Sequence, residues 1–137
     1  MNMLPIIDLL RTHCGHIPLE TSTVVKSLNG TSYPAIWVEL SGEDIEPDEF
    51  QDTQNLQQVR AYFAVWIAAE IANEGTQVDQ LHEAMTDVRA ALVGRTHTDW
   101  THPIEMTGGE IALVENKLIL WREGFQTSYS YESTSGA

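Results

Sequence analysis

His13, Cys14 and His16 are the residues of this sequence whose types and spacing come closest to a metal site. Imidazole nitrogens and a thiolate are ordinary zinc ligands. Three further histidines could complete the site: His82, His97 and His102. A structural zinc site normally has two ligand pairs with short spacers, whereas this chain has one cluster and scattered histidines. Because Cys14 also lies on an apolar helical stripe, we predict a core cysteine and no metal or other cofactor.

Other catalytic patterns are equally incomplete. Cys14 with a histidine could form a nucleophile pair, but no flanking signature supports it. Residues 108–110, Gly-Gly-Glu, lack the Gly-x-x-x-x-Gly-Lys pattern of a phosphate loop and are interpreted as part of a turn between strands. The acidic residues lack the alternating spacing of a calcium loop. The sequence therefore predicts a protein that is not an enzyme.

The charge balance narrows the possible partners. Lys and Arg number 7 and Asp and Glu number 20 among 137 residues, giving a net charge of −13. Such a chain repels phosphate backbones and anionic lipid, so we expect neither direct nucleic-acid binding nor membrane binding. Its length fits one domain, residues 1–137. A single cysteine excludes an intramolecular disulfide, which suits synthesis in a reducing cytoplasm.

Two amphipathic helices are predicted. Apolar residues recur at helical spacing from Met3 to Cys14, and Gly15 ends this helix. The second helix begins with Thr76 as its N-cap and stops at Gly94. Its apolar stripe, at spacings of three and four, consists of Val78, Leu81, Met85, Val88 and Leu92.

A hairpin and an acidic loop are predicted between the helices. Residues 21–28 and 35–40 read as strands, joined by the turn signal Asn29-Gly30. Residues 41–54 are expected to form a flexible loop, because its carboxylates repel one another and no base offsets them. The acidic residues of this segment are Glu43, Asp44, Glu46, Asp48, Glu49 and Asp52.

Residues 56–71 show the clearest pattern of the chain. Every second residue from Val59 is apolar, which is typical of a strand with one face in the core, although the helix-forming residues leave a helix as an alternative. The other face carries Tyr62 and Trp66 among small and polar residues. The aromatic residues could close the far side of the sheet or form contacts between chains, where Trp and Tyr are enriched. We favour contacts, and we assign Trp37, Tyr62, Trp66 and the six acidic residues to a subunit or partner interface.

The remaining residues predict short strands. They cover residues 104–106, 110–114, 118–123 and 125–131, with turns at residues 107–109 and 116–117 and a disordered tail at 133–137. The order of elements predicts an α+β domain, a mainly antiparallel sheet with two helices on one face.

The chain resembles the tail terminator, or tail-completion, proteins of long-tailed bacteriophages. The resemblance rests on the order of motifs between residues 4 and 131: YPA at 33–35, YFAVWI at 62–67, VRAALVG at 88–94, GGE at 108–110, LWR at 120–122 and FQTSY at 125–129. It implies a small α/β fold whose subunits form a hexameric ring. The ring would cap the head-proximal end of the tail tube, stop its polymerisation and present a surface to the neck, or head-completion, proteins. The resemblance carries no catalytic residue and no cofactor, and it places the protein in the virion.

Two alternatives come from the residues themselves. The size and acidity also suit an inhibitor that imitates DNA and blocks a nucleic-acid-binding protein. A weaker alternative is a small metal-dependent hydrolase built on His13, Cys14 and His16.

Overall fold

A computed structural model of the chain describes residues 1–17, 19–20, 33–45, 56–70, 76–115 and 117–132. Within these ranges, two helices and five strands follow one another as α1 (Leu4–His13), β1 (Leu19–Glu20), β2 (Ala35–Ile45), β3 (Leu56–Glu70), α2 (Thr76–Leu92), β4 (His102–Glu115) and β5 (Leu118–Glu132). The strands form one sheet in the order β1-β2-β3-β5-β4. β1 is parallel to β2, and the other pairings are antiparallel. The predicted α+β class, with a mainly antiparallel sheet, is confirmed.

β3 lies in the centre of the sheet, and its predicted core face is confirmed. Every second residue of the described strand from Val59 to Ala69 is buried. Three of them, Phe63, Val65 and Ile67, pack with both helices in one core cluster, where the rings of Phe63 and Phe125 stack with centroids 5.4 Å apart. The helices therefore cover one face of the sheet, called here the helix-bearing face. Residue 71, the last of the predicted strand, lies outside the described residues.

Where their side chains are described, the two helices pack through most of the apolar positions that the sequence predicted. Pro5 stands in the first turn of α1, where a missing backbone N–H costs little, and Ile6 and Leu10 are buried. In α2, Val88 and Leu92 are fully buried. α2 is followed by Gly94, whose φ of 79° suits a residue without a Cβ.

The predicted acidic loop is wrong in its first part, because residues 41–45 continue β2. Their backbone pairs with β3, and a register shift between Leu40 and Gly42 absorbs the extra residue. Glu43 and Asp44 are exposed there, so the strand does not bury their charge. The remaining acidic positions, Glu46, Asp48, Glu49 and Asp52, lie outside the described residues.

The predicted turn at residues 107–109 is also wrong, and so is the predicted break at residue 124. β4 runs through Gly108 and Gly109, with register shifts on either side, and β5 runs through Gly124. Gly108 has a φ of 127°, which suits a residue without a Cβ, whereas Gly109 and Gly124 allow close packing. A Cβ on Gly109 would lie 2.5 Å from Oε2 of Glu123, and one on Gly124 would meet the Thr107 hydroxyl. Lys117, which belongs to the other predicted turn at residues 116–117, does lie in a turn and has a φ of 62°.

Three predicted features lie outside the described residues: the strand at residues 21–28, its turn at 29–30 and the tail at 133–137. The described residues before that strand, Leu19–Glu20, pair parallel with Ile36 and Trp37 of β2.

Candidate interaction surface

The face of the sheet opposite the two described helices, called here the helix-free face, brings the predicted aromatic residues together. Trp66 of β3 lies directly opposite Trp37 of β2 and Arg122 of β5. The guanidinium carbon of Arg122 lies 5.7 Å from the centroid of the Trp66 ring, within cation–π range. Arg122 also donates a hydrogen bond to the Ser41 hydroxyl at 2.8 Å. The guanidinium therefore holds the exposed side of the indole in place.

These aromatic side chains differ in how much of their surface is exposed for contact with another chain. Trp37 is only 5% exposed, since it packs in a small cluster with Tyr33 and Trp66. Trp66 and Tyr62 are half-buried, so part of each ring faces solvent. The Trp66 indole N–H and the Tyr33 hydroxyl are buried and have no hydrogen-bond partner in the described part of the chain. Trp37 thus supports the surface, while Tyr62 and Trp66 form it.

The two described acidic residues of the predicted interface point to opposite faces. Asp44 pairs in register with Arg60 on the helix-free face. Glu43 lies on the helix-bearing face, where its carboxylate accepts a hydrogen bond from the Tyr129 hydroxyl. That hydrogen bond lowers the pKa of Glu43 from its ordinary value, although burial partly opposes it. Burial, and secondly the bond to Glu43, raises the pKa of Tyr129 to about 12.

The Tyr129–Glu43 hydrogen bond gives a pH prediction. Because the folded state lowers the pKa of Glu43, this group stabilises the fold above the ordinary carboxyl range, and that contribution is lost as the pH falls through the folded value. Tyr129→Phe removes the donor, so we expect the pKa of Glu43 to rise, measured from the carboxyl carbon shift in an NMR titration. The control is Tyr131→Phe, at a tyrosine 57% exposed, which should leave the Glu43 pKa unchanged. An unchanged Glu43 titration in Tyr129→Phe would contradict the assignment.

Cys14 and His16 of the predicted cluster both contact Asp87 in the structure. Cys14 is buried, as predicted, and its thiol donates to the Asp87 carbonyl at 3.3 Å. Burial, and secondly the Asp87 charge, raises the pKa of Cys14 to about 11, which disfavours the thiolate needed by a ligand or nucleophile. His16 Nε2 lies 2.9 Å from an Asp87 carboxylate oxygen. Within the ranges that the structure describes, no three His, Cys, Asp or Glu side chains are grouped as metal ligands.

The edge strand β4 is an exposed surface that the sequence did not reveal. Every residue from 105 to 115 is exposed, although this stretch includes large apolar side chains. They are Met106, Ile111, Leu113 and Val114, each between 41% and 57% exposed. The sequence predicts only an ordinary strand from these apolar residues. Its position at the edge follows only from the order of strands in the sheet.

The family model described as phage tail terminator protein matches residues 22–135, which is most of the chain. No curated protein matches it. None of the helices among the described residues has the length and apolar character needed to cross a membrane.

Proposed function

Because this chain belongs to the phage tail terminator family, and is therefore a structural component of a phage tail, we propose that it terminates the tail tube. In this proposal, six copies form a ring on the head-proximal end of the tube. The ring stops further polymerisation and offers its other side to the head-completion, or neck, protein. The protein is made in the host cytoplasm and acts without catalysis or cofactor. The family match over residues 22–135 carries the proposal.

The exposed surfaces of the described chain support a role in assembly. A ring of identical subunits needs a heterologous contact, in which two different surfaces of one chain meet on neighbouring copies. The described chain has two unlike exposed edges, strand β4 with its apolar side chains and the later part of β2, and in addition a helix-free sheet face with Tyr62 and Trp66. Exposed apolar residues clustered in this way are typical of surfaces that bind other proteins.

The acidity of the chain fits a ring through which DNA passes. Six copies of a chain with net charge −13 would surround the channel with negative charge. DNA adheres to proteins mainly through cations that neutralise its phosphates, so an acidic wall lets it slide past. We further propose that the acidic segment docks a basic face of the tail tube or neck protein. Its members are Asp44, Glu46, Asp48, Glu49 and Asp52, with Glu43 held back by Tyr129.

The helix-free face is the second proposed contact with a partner. Tyr62 and Trp66 present flat, half-buried rings, which lose little conformational entropy when they are covered. The Trp66 N–H, unpartnered in the described part of the chain, would be a donor for a group brought in by the partner, once the indole shifts. Trp37 packs beside the Trp66 ring on the neighbouring strand.

Deletion of the gene in the phage tests the function. We expect particles of the deletion phage to have tails of uncontrolled length that do not join heads, and wild-type protein supplied from a plasmid to restore uniform tails. Tail lengths and head joining are measured by electron microscopy. The empty plasmid is the control. Uniform tails joined to heads in the deletion phage would refute the proposal.

A further inference from the structure

The sheet has two edges that its described strands leave open. At one edge, β4 pairs on one side only, with β5. At the other edge, β1 pairs only with Ile36 and Trp37, so among the described residues the rest of β2 has no strand beyond it. Residues 40, 41 and 43–45 of β2 are exposed. An unpaired edge presents backbone N–H and C=O groups that can pair with another strand.

We propose that β4 of one copy pairs antiparallel with β2 of the next copy, and that Met106 then lies beside Leu40. This inference rests on the proposed ring, and it identifies the contact that closes the ring. Each copy would contribute both edges, which makes the contact heterologous, as a ring requires. The helix-free face remains uncovered by the neighbour and stays available to the tail or neck partner.

Strand direction agrees with this pairing. β2 is antiparallel to β3, β3 to β5 and β5 to β4, so β4 runs opposite to β2 within one copy. Rotation about a ring axis gives neighbouring subunits the same orientation along that axis. β4 of one copy and β2 of the next therefore meet antiparallel, and the helix-bearing faces of the two sheets lie on the same side. The alternation of strand directions continues across the junction.

Exposed apolar side chains meet at the junction. Leu40 pairs with Phe63, Phe63 with Phe125 and Phe125 with Met106, so all four lie at one level of the sheet and on its helix-bearing face. Leu40 and Met106, at the two ends of this row, are each 41% exposed. Joining the edges at the same level places them side by side as a cross-strand pair and extends the apolar row from one subunit into the next.

The charges on the helix-free side also fit this register. By the same pairings, Glu39 lies at the level of Gly108, and Glu105 lies at the level of Gly42. Each carboxylate therefore faces a glycine of the neighbour and not another carboxylate. This spacing matters because like charges directly opposite each other destabilise strand pairs, and the chain is strongly acidic.

One further pair of residues, Asp44 and His102, can attract each other across the junction. Asp44 lies at the level of His102, through Arg60 and Ser128. Both Asp44 and His102 are exposed in the single chain. The neighbour's His102 ring would then lie across the junction from a carboxylate, to which it can donate a hydrogen bond.

Disulfide trapping in purified phage particles tests the register. The experiment uses Leu40→Cys with Met106→Cys in a Cys14→Ala background, so that the introduced thiols are the only ones. Within one chain the two positions lie three strand spacings apart, about 14 Å, which is too far for a disulfide. Oxidation is therefore expected to give a ladder of linked chains that ends at six on a non-reducing gel. Asp44→Cys with His102→Cys is the second pair, in case the first impairs folding.

The matched control shifts the register. Leu40→Cys with Ile111→Cys places the second thiol at the level of Ile36, about 13 Å along β2 from Leu40, and should give no ladder. Particles that contain the protein but show no ladder with either matched pair would overturn the inference, and so would an equal ladder in the control. Tail lengths in the same particles separate the two proposals. Uniform tails without a ladder refute only the strand pairing, whereas a ladder on tails of uncontrolled length refutes only the terminating function.

Discussion

Glu123→Ala is expected to lower the free energy of unfolding by about 3 kcal/mol, roughly 10 °C in Tm. The Glu123 side chain is completely buried on the helix-bearing face. One carboxylate oxygen accepts a hydrogen bond from Nε of Arg89 at 2.7 Å, and the other accepts one from the Trp121 indole N–H. Alanine would leave a cavity and two donors without their acceptor. The loss stays at the lower end for a broken buried ion pair because the Arg89 side chain is 36% exposed and can turn towards water.

Two variants control this prediction in urea unfolding of the isolated chain. Glu123→Gln keeps the shape and an acceptor but loses the charge, so we expect a loss of about 1.5 kcal/mol. Glu110→Ala removes an exposed glutamate from the adjacent strand β4 and should change stability by less than about 0.5 kcal/mol. If Glu123→Ala cost no more than Glu110→Ala, the buried ion pair would not stabilise the fold.

Phe63→Ala is expected to cost about 4 kcal/mol, the largest effect among our stability predictions. Phe63 is 1% exposed at the middle of β3, and its ring stacks on Phe125 at an interplanar angle of 19°. The variant removes apolar area from the centre of the core and leaves a cavity between the sheet and the helices. Such a loss approaches the whole stability of an ordinary domain, so much of the protein would be unfolded at 37 °C.

The matched control is Leu56→Ala on the same strand. Leu56 is 42% exposed, so the same kind of truncation should cost well under 1 kcal/mol. Both variants are compared by urea unfolding and by the amount of soluble protein. Equal losses for Phe63→Ala and Leu56→Ala would show that the stack does not form the centre of the core.

The central strand could be predicted because its signal is local. In a strand, successive side chains point to opposite faces. Apolar residues at every second position from Val59 onwards therefore predict a buried face, even when the partner strands are unknown. Cys14 was placed in the core for a similar reason, since it continues a helical stripe. The same logic failed at residues 107–109. Two adjacent glycines favour a turn locally, but here Gly109 leaves room for the buried Glu123.

The candidate surface was predicted only in part. Trp37 and Trp66 lie opposite each other because of the register in which β2 and β3 pair. The sequence predicted their proximity only on the condition that these two strands are neighbours. The separation of Glu43 from Asp44 onto two faces required residues 41–45 to be a strand. The sequence read them as a loop because their charge pattern is that of a solvated segment.

By itself the sequence determined the class of the fold, the inward face of β3, the two helical stripes and the acidity that argues against adhesion to DNA. These properties depend on residue types at short, fixed spacings. Only the tertiary structure decided that β4 lies at an edge, that Glu123 is buried between Arg89 and Trp121, and that Leu40 and Met106 end one row of the sheet. Strand order and register join residues far apart in the chain, and no local periodicity encodes which strand lies beside which.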